Sequence, residues 1–475
     1  MLNYRAHALR ALSQIGPRFL PFADVASQDV PLSRLLRLSL FQVTVGMALV
    51  LLVGTLNRVM IVELAVPASL VAVMISLPLV FAPFRTLIGF KSDTHKSAFG
   101  WRRIPFIWKG TMLQFGGFAV MPFALLVLSG YGESYDAPLW VGHGAAAIAF
   151  LLVGAGVHMV QTVGLALATD LVPQEDQPKV VGLMYVMLLV GMIGSALIFG
   201  WLLSDYTPGR LIQVIQGAAV VTIVLNVIAL WKQESRDRAR AASTEPSPRF
   251  WDEWAKLIRG VGARRLLAVI ALGTMGFGMA DVLLEPYGGH VLGLTVAETT
   301  RLTAVLALGG LIGFALASRV LGRGADPVGV AFWGAVAGVP GFAAIVIAAP
   351  GSEPALFVAG TLIVGFGAGL FGHGTLTATM RRAPKEQVGL ALGAWGAVQA
   401  TAAGIAIAIG GGLRDVVLAT PGGGDAATPY MAVFGLEIVL LILALVAIVP
   451  LRAAMIRRRA KSSLGDMDRR RLEEA

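Results

Sequence analysis

The chain has 475 residues, of which 56% are hydrophobic and 14% are charged, and its net charge is +10. This composition excludes an ordinary soluble protein, in which about a quarter of the residues are charged, and indicates an integral membrane protein. The absence of cysteine excludes structural disulfides, thiolate metal sites and thiol catalysis.

We assign residues 1–36 to a cytoplasmic N-terminal segment, which has scattered arginines and lacks the uninterrupted apolar core of a cleavable signal. Leu9, Leu12, Ile15 and Phe19 recur in it at near-helical spacing. This spacing favours a short helix on the membrane surface, and a disordered basic tail is the alternative.

Apolar runs of about 20 residues then follow one another along the chain, and each could cross roughly 30 Å of hydrocarbon as a helix. They predict an all-α integral membrane protein. The twelve predicted spans are 37–62, 67–90, 104–129, 139–168, 178–203, 209–231, 265–287, 297–320, 328–349, 355–379, 387–412 and 430–451.

One long polar segment, 232–264, divides these spans six plus six, and we interpret it as a cytoplasmic linker that ends in an interfacial stretch. The predicted domains are therefore a first six-helix bundle over 37–231 and a second over 265–451, followed by a basic cytoplasmic tail over 452–475. Ile88-Gly89-Phe90 and Ile312-Gly313-Phe314 close equivalent spans, which indicates a duplicated six-helix unit.

Basic residues are concentrated in alternate loops and in the C-terminal tail, as at Lys91, Arg319 and Arg381. The positive-inside rule places these loops and both termini in the cytoplasm. Since the basic residues lie in short loops and tails between apolar spans, they predict orientation in a membrane, and we expect no nucleic-acid partner.

The loop after the second span contains Gly89 and Asp93, followed by Gly100, Arg102 and Arg103. This arrangement resembles the signature loop of the major facilitator superfamily, although several extra residues separate Asp93 from Gly100. In such a loop, glycine allows close helix approach, while the acidic and basic side chains clamp the cytoplasmic helix ends. The resemblance implies twelve helices in two six-helix pseudo-repeats.

Four charged residues, Arg58, Glu63, Asp281 and Glu285, form a predicted gate or ion-pair set. A charge in mid-membrane costs on the order of 3 kcal/mol, so such residues face protein or a cavity. We expect Arg58 to pair with Asp281 or Glu285 as an outer gate, because spans one and seven meet in the superfamily. The alternatives are residues in the wet headgroup zone and a proton-coupling role.

Two histidines lie inside apolar spans. His158 is followed by Gln161 one helical turn later, and His373 lies between Gly372 and Gly374. A neutral imidazole is a good axial donor to a metal held in a flat macrocycle, and an interhelical hydrogen bond is the alternative. Glycines at close helical spacing favour close helix packing, or a large flat ligand lying against a helix.

Enzyme signatures are missing from the sequence. It contains no Walker loop, no Gly-x-Ser-x-Gly elbow and no His-Glu-x-x-His motif. Its Gly-x-Gly triplets lie inside apolar spans, with no strand before them. We therefore expect no catalytic activity.

Several longer motifs resemble the PucC/LhaA family of purple phototrophic bacteria, over about residues 36–450. They are Leu-Asn-Arg-Val-Met-Ile-Val-Glu-Leu (56–64), Ala-Pro-Phe-Arg (82–85), Ile-Gly-Phe-Lys-Ser-Asp (88–93), Gly-Trp-Arg-Arg-Ile-Pro (100–105), Gly-Leu-Ala-Leu-Ala-Thr-Asp-Leu (164–171), Gly-Phe-Gly-Met-Ala-Asp-Val-Leu-Leu-Glu-Pro-Tyr-Gly-Gly (276–289), Gly-Leu-Phe-Gly-His-Gly-Thr-Leu (369–376) and Gly-Ala-Trp-Gly-Ala-Val-Gln-Ala-Thr (393–401).

This resemblance implies a role in assembling light-harvesting antenna complexes by delivering bacteriochlorophyll to new antenna polypeptides. The long N-terminal stretch and Leu-Arg-Leu-Ser-Leu-Phe-Gln (36–42) are more similar to the LhaA branch, which serves the core antenna. The sister branch, which serves the peripheral antenna, is the alternative. We expect a multi-pass protein of the bacterial cytoplasmic membrane, either inner or intracytoplasmic.

If the chain carries such a pigment, His158 with Gln161 lines one site, and His373 with Gly372 and Gly374 lines its counterpart. Each histidine is then an axial ligand of the pigment magnesium. Bacteriochlorophyll is the expected cofactor and carotenoid a further one. The implied partners are the antenna α and β polypeptides, the pigment synthase, the membrane insertion machinery and the lipid membrane itself.

Two other functions fit the same sequence. A proton-coupled transporter of small solutes would use Asp281 and Glu285 as its proton site. A scaffold would hold antenna polypeptides without binding pigment. Because one architecture hosts many functions, the fold does not separate them.

Overall fold

The computed structural model describes residues 30–80, 85, 88, 91–92, 95, 100–130, 136–173, 176–234, 259, 262–351, 353–382, 388–420 and 425–473. Several predicted features lie outside these residues. They are the surface helix expected within residues 1–29, most of the linker, and the clamp residues Gly89 and Asp93.

The described chain is helical. Two π-helical stretches, Val50–Leu56 and Val59–Glu63, occur in the first span, and no strand occurs in the part of the chain that the structure describes, so the predicted all-α class is confirmed. The α-helices are α1 (Leu32–Leu38), α2 (Leu40–Leu49), α3 (Ala68–Val80), α4 (Ile104–Ser129), α5 (Leu139–Asp170), α6 (Gln177–Leu202), α7 (Pro208–Leu230), α8 (Ala263–Gly278), α9 (Ala280–Leu292), α10 (Val296–Gly322), α11 (Pro327–Gly351), α12 (Pro354–Arg382), α13 (Val388–Leu418) and α14 (Thr428–Glu473).

Eleven helical segments of the described residues are long and apolar enough to cross a membrane, and they coincide with eleven of the predicted spans. The second predicted span is represented by a shorter apolar stretch, Ala68–Leu79, because most of 81–90 lies outside the described residues. Helix α14 continues to Glu473, so the predicted C-terminal tail extends the last helix.

The contacts divide the chain into two units. The first unit comprises residues 1–52 and 84–244, and the second comprises 53–83 and 245–475. The later boundary falls within the predicted linker. The earlier boundaries differ from the predicted division, because 53–83 groups with the later helices. The predicted six-plus-six division from the sequence repeat stays a prediction.

The polar contacts of 53–83 explain this grouping. Asn57 Nδ2 donates to the carbonyl oxygen of Val282 at 2.5 Å, and the Thr55 and Thr300 hydroxyls lie 3.1 Å apart. These groups are buried, and a buried polar group is costly unless it is hydrogen-bonded. They hold the first span against α9 and α10 inside the second unit.

In the first unit, the pair α4 and α5 packs closely through glycine. A Cβ on Gly156 would lie 2.5 Å from the carbonyl oxygen of Gly110, so the two backbones are nearly in contact. Asn226 of α7 links two further helices, because it contacts the hydroxyls of Thr44 and Thr111 at 2.9 Å each. Small residues and one buried amide therefore set the spacing of these helices.

In the second unit, α12 packs between α10 and α11, again through glycine. A Cβ on Gly369 would overlap the Gly310 carbonyl oxygen, and one on Gly367 would lie 2.7 Å from that of Gly334. Close helix packing, one of the two predicted roles of the glycines, is what the structure has at these positions.

Candidate functional site

His158 lies in α5, in the first contact unit. The residue is partly exposed, while its Nδ1 is buried and has no hydrogen-bond partner. An interhelical hydrogen bond through Nδ1, the alternative from the sequence, is therefore not formed. A buried ring nitrogen without a partner is unusual and calls for a ligand or a functional explanation.

Gln161 follows His158 by one turn of α5, and its carboxamide is engaged by Arg85. The Arg85 guanidinium donates from Nη2 to Gln161 Oε1 and from Nε to Thr162 Oγ1, both at 2.9 Å. The charge of Arg85 also acts on His158 and on Tyr185. These five side chains form one cluster, in which Gln161 serves to hold Arg85.

Arg85 is not among the site residues predicted from the sequence, where it appears as the last residue of the Ala-Pro-Phe-Arg motif. The signal that could have found it is its position inside a predicted span, because a lone arginine among apolar residues must face protein or a cavity.

His373 occupies α12, in the second contact unit. It is 9% exposed, its Nδ1 is buried without a hydrogen-bond partner, and its ring centroid lies 4.1 Å from that of Phe314. Its environment is therefore more enclosed than that of His158, and it is apolar and aromatic on at least one side.

The two glycines beside His373 have different surroundings. A Cβ on Gly372 would meet no atom within 4 Å, so this position has open space beside it. A Cβ on Gly374 would lie 2.6 Å from the Ala331 backbone nitrogen. Gly374 therefore packs α12 against α11, and its role in lining a ligand site stays a prediction.

The described part of the chain offers single histidines rather than a cluster of metal ligands. Within the described ranges, no group of three or more His, Asp or Glu side chains could hold a metal ion. A protein cage for a bare ion needs about four ligands, whereas a metal already held by a macrocycle needs one axial ligand. A single imidazole with an unpartnered nitrogen fits the second case.

Arg58 forms its ion pair with Glu63, and its Nη2 donates to the Leu294 carbonyl oxygen at 3.1 Å. The ion pair is thus with Glu63, a member of the predicted set, while no ion pair of Arg58 with Asp281 or Glu285 occurs among the described residues, and the charge of Arg58 also acts on Glu285. The reason is local, because Arg58 precedes the π-helical turn Val59–Glu63, and a π-helical turn brings residues five apart together. A gating role for Arg58 stays a prediction.

Asp281 and Glu285 lie one turn apart on α9 but differ in environment. Asp281 is exposed, whereas Glu285 is 3% exposed and accepts a hydrogen bond from the Thr303 hydroxyl through Oε1. Its Oε2 is buried without a partner. The two carboxyl groups therefore do not share one environment, although the helical spacing suggested that they share one face.

The described part of the predicted cytoplasmic clamp is formed by arginine and Asp170. Asp170 Oδ2, at the end of α5, accepts hydrogen bonds from Arg102 Nη2 at 2.5 Å and from Arg103 Nε at 3.1 Å. Arg103 also donates from Nη1 to Ser92 Oγ at 2.6 Å. Gly100, with φ of 74°, adopts the left-handed conformation that allows the chain to turn into α4.

Glu234 is a further member of this region and was not predicted from the sequence. Its carboxylate accepts hydrogen bonds from the backbone N–H groups of Arg102, Arg103 and Ile104 at 2.8–3.0 Å. It thereby satisfies the free N–H groups at the start of α4 and interacts favourably with the helix dipole. No local sequence signal indicates this contact, because Glu234 follows α7, far along the chain.

Sequence comparison identifies relatives over nearly the whole chain. The PUCC protein family matches residues 55–456. Protein PucC of Rhodobacter capsulatus is 66% identical over 458 residues, covering 95% of this chain and 99% of the relative. A second Rhodobacter capsulatus protein, described as an uncharacterized protein in the puhA-bchM intergenic region, is 49% identical and covers 93% of this chain and 94% of its own.

Solved structures of transporters share this fold. The nucleoside transporter NupG matches with a TM-score of 0.60 and 14% identity, covering 88% of this chain and 99% of that one. A bacterial homologue of the iron transporter ferroportin, inward-facing, matches with a TM-score of 0.62 and 16% identity, covering 88% and 97%. At this identity the likeness shows the fold alone, which confirms the predicted major facilitator-like architecture.

The family resemblance drawn from the motifs is also confirmed, while the LhaA branch is not, because relatives at 64–68% identity carry the PucC name. This multi-pass membrane protein belongs to the PUCC protein family.

Proposed function

We propose that this protein is an assembly factor for a light-harvesting antenna complex, and that it binds bacteriochlorophyll and delivers it to nascent antenna α and β polypeptides in the bacterial cytoplasmic membrane. Family membership supports the coarser statement, a role in forming light-harvesting complexes. The role requires no bond-making chemistry, so the protein is not proposed to be an enzyme. Carotenoid is a further proposed cargo, and the pigment synthase and the insertion machinery are further proposed partners.

The observation that carries pigment binding is the state of His158. The residue is partly exposed, its buried Nδ1 has no hydrogen-bond partner, and no cluster of additional metal ligands surrounds it within the described residues. The magnesium of a bacteriochlorophyll takes one axial ligand, which an imidazole can supply. His373 and the open space beside Gly372 are proposed as the second pigment contact.

The antenna branch is the finer part of the proposal. The N-terminal stretch favoured the LhaA branch and the core antenna, but relatives at 64–68% identity carry the PucC name. This name favours the sister branch, and we propose the peripheral antenna as the main client. Deleting the gene from its host and recording the absorption of both antenna types tests this choice. Loss of the core antenna with the peripheral antenna intact would restore the first assignment.

Pigment binding is tested by purifying the protein in mild detergent from a pigment-making host and recording its near-infrared spectrum. His158→Ala and His373→Ala are compared with His143→Ala, a matched control for a partly exposed histidine elsewhere in α5. We expect the pigment-to-protein ratio to fall severalfold in the first two variants and to stay unchanged in the control.

Three other outcomes would each lead to a different conclusion. Unchanged pigment in the His158 and His373 variants would reject both ligand assignments while leaving the assembly role intact. A colourless wild-type protein would reject pigment delivery and support the scaffold function. Uptake of a small solute by vesicles containing the protein would support the transporter function, for which the structural neighbours at 14–16% identity supply the fold alone.

A further inference from the structure

Arg85 places a permanent positive charge among neutral side chains in the first contact unit. Its described hydrogen-bond partners, Gln161 Oε1 and Thr162 Oγ1, carry no charge. Its charge also acts on Tyr185 and His158, and neither of these side chains carries a negative charge in its ordinary form at neutral pH. A buried or half-buried charge is ordinarily paired with an opposite charge, and no acidic side chain is among the described partners of Arg85.

The described carboxylates of this unit are committed elsewhere. Asp170 binds Arg102 and Arg103, Asp176 binds Lys179 at 3.0 Å, and the Glu234 carboxylate accepts backbone N–H groups at the start of α4. The two others lie at remote helix ends, because Asp136 precedes α5 and Asp205 follows α6. Among the described residues, no carboxylate forms an ion pair with Arg85.

A second observation points to a ligand at the same place. His158 Nδ1 is buried without a partner, and His158, Gln161 and Thr162 lie on one face of α5, with Cβ atoms of successive turns roughly 5–6 Å apart. All five residues of the cluster, Arg85 and Tyr185 included, are partly exposed. The guanidinium and the imidazole therefore belong to one partly exposed cluster.

We propose that Arg85 and His158 together form a site for a magnesium tetrapyrrole that carries a free carboxylate. In this site, the guanidinium pairs with the carboxylate of the ligand and the imidazole is the axial ligand of the magnesium. The inference rests on the proposed function for pigment binding and adds the class of pigment. Bacteriochlorophyllide has this chemistry, whereas esterified bacteriochlorophyll has the same ring without the charge.

The preference for a free acid follows from the electrostatics of arginine. A guanidinium and a carboxylate form two parallel charge-assisted hydrogen bonds, which are stronger than the bonds that Arg85 makes to an amide and a hydroxyl. An ester carbonyl would only replace one neutral acceptor by another. Relative to the ester, the free acid is therefore expected to gain affinity at this site, and the gain depends on Arg85.

The test uses full-length protein purified in mild detergent from a host that makes no pigment. Three probes are titrated separately and binding is followed by near-infrared absorption. They are bacteriochlorophyllide, its methyl ester, and bacteriochlorophyll. The methyl ester removes the charge without adding the long tail, so it separates the effect of charge from that of hydrophobic bulk. We expect the free acid to bind at least tenfold more tightly than the methyl ester.

Variants test whether the preference for the free acid over the ester depends on Arg85. Arg85→Gln is expected to remove the preference, so that acid and ester bind with equal affinity. Arg85→Lys is expected to retain part of the preference. His158→Ala is expected to weaken the binding of both ligands by the same factor. Arg210→Gln is the matched control, because Arg210 is an exposed arginine of the same unit that donates to the Leu202 carbonyl oxygen. Since the readout is a ratio, a variant that folds poorly lowers both affinities and leaves the ratio interpretable.

Equal affinities of the wild-type protein for the free acid and its methyl ester would overturn this inference, and pigment binding itself would stand. If Arg85→Gln weakened the binding of the acid and of the ester by the same factor, the inference would also be overturned, because Arg85 would then act only through its hydrogen bonds to α5. Binding of none of the three probes would overturn the inference together with the proposed pigment binding.

Discussion

The carboxylate of Glu437 accepts a hydrogen bond from the backbone N–H of Ala280 at 2.7 Å, and this contact lies where α8 ends and α9 begins. The free N–H groups at a helix start require acceptors, and inside a membrane protein water cannot supply them. Glu437, which is fully buried on α14, supplies one. The break at Met279 is thus stabilised by a side chain more than 150 residues away in sequence.

Glu437→Ala is expected to lower the free energy of unfolding by about 1–3 kcal/mol, because it leaves the Ala280 N–H without its acceptor. Glu437→Gln keeps an acceptor oxygen and is expected to lose less. Thermal unfolding in detergent measures both. Glu298→Ala removes the exposed capping box of α10 and is the matched control, with an expected loss nearer 1 kcal/mol. Equal losses for the Ala and Gln variants at 437 would contradict the capping role.

The pair Arg58 and Glu63 is expected to be energetically coupled. A double-mutant cycle with Arg58→Gln and Glu63→Gln should give an interaction free energy of about 0.5–3 kcal/mol, measured by denaturation. The cycle of Arg58→Gln with Asp281→Asn is the comparison, since no described ion pair joins these two residues. Stronger coupling of Arg58 to Asp281 than to Glu63 would restore the partner first expected from the sequence.

Asp170→Asn should destabilise the protein more than Asp176→Asn. Asp170 receives bonds from two arginines, one of which is buried, whereas Asp176 pairs with one exposed lysine three residues later. An exposed pair contributes about 0–1 kcal/mol, and loss of a partner from a buried arginine costs more. Thermal unfolding of the two variants in detergent decides this, and equal shifts would exclude a clamp centred on Asp170.

The sequence predicts the spans well and the polar contacts poorly, for different physical reasons. A span is a local property of about 20 apolar residues, so its position can be obtained from hydropathy alone. The contact of Glu437 with Ala280 and that of Glu234 with Ile104 join residues distant in sequence, and no periodicity encodes them. The Arg58 contact with Glu63 is local but depends on a π-helical turn, which the apolar pattern does not indicate.

The sequence predicts the two histidines of the candidate site, His158 and His373, but not Arg85. His158 and His373 were conspicuous as polar residues in apolar runs, and each has a buried Nδ1 without a partner. Gln161 was assigned to the ligand because it lies one turn from His158, but that spacing does not reveal that the carboxamide is engaged by Arg85. Helical spacing identifies which residues share a face, and only the packing identifies what that face contacts.

Gly372 and Gly374 give a prediction that separates helix packing from ligand binding on one helix. Gly374→Ala is expected to destabilise the protein by about 1–3 kcal/mol, because its Cβ would lie 2.6 Å from the backbone nitrogen of Ala331 and the two helices would have to separate. Gly372→Ala is expected to leave thermal stability unchanged, because its Cβ would meet no atom within 4 Å.

If a pigment lies beside His373, Gly372→Leu should fill the space that the pigment requires. The expected result is a severalfold lower pigment-to-protein ratio with wild-type thermal stability, measured on protein purified from a pigment-making host. Gly322→Leu is the control, since a Cβ at Gly322 of α10 also meets no atom within 4 Å but lies far from His373 along the chain. Full pigment occupancy in Gly372→Leu would show that the open space beside His373 is not where the pigment binds.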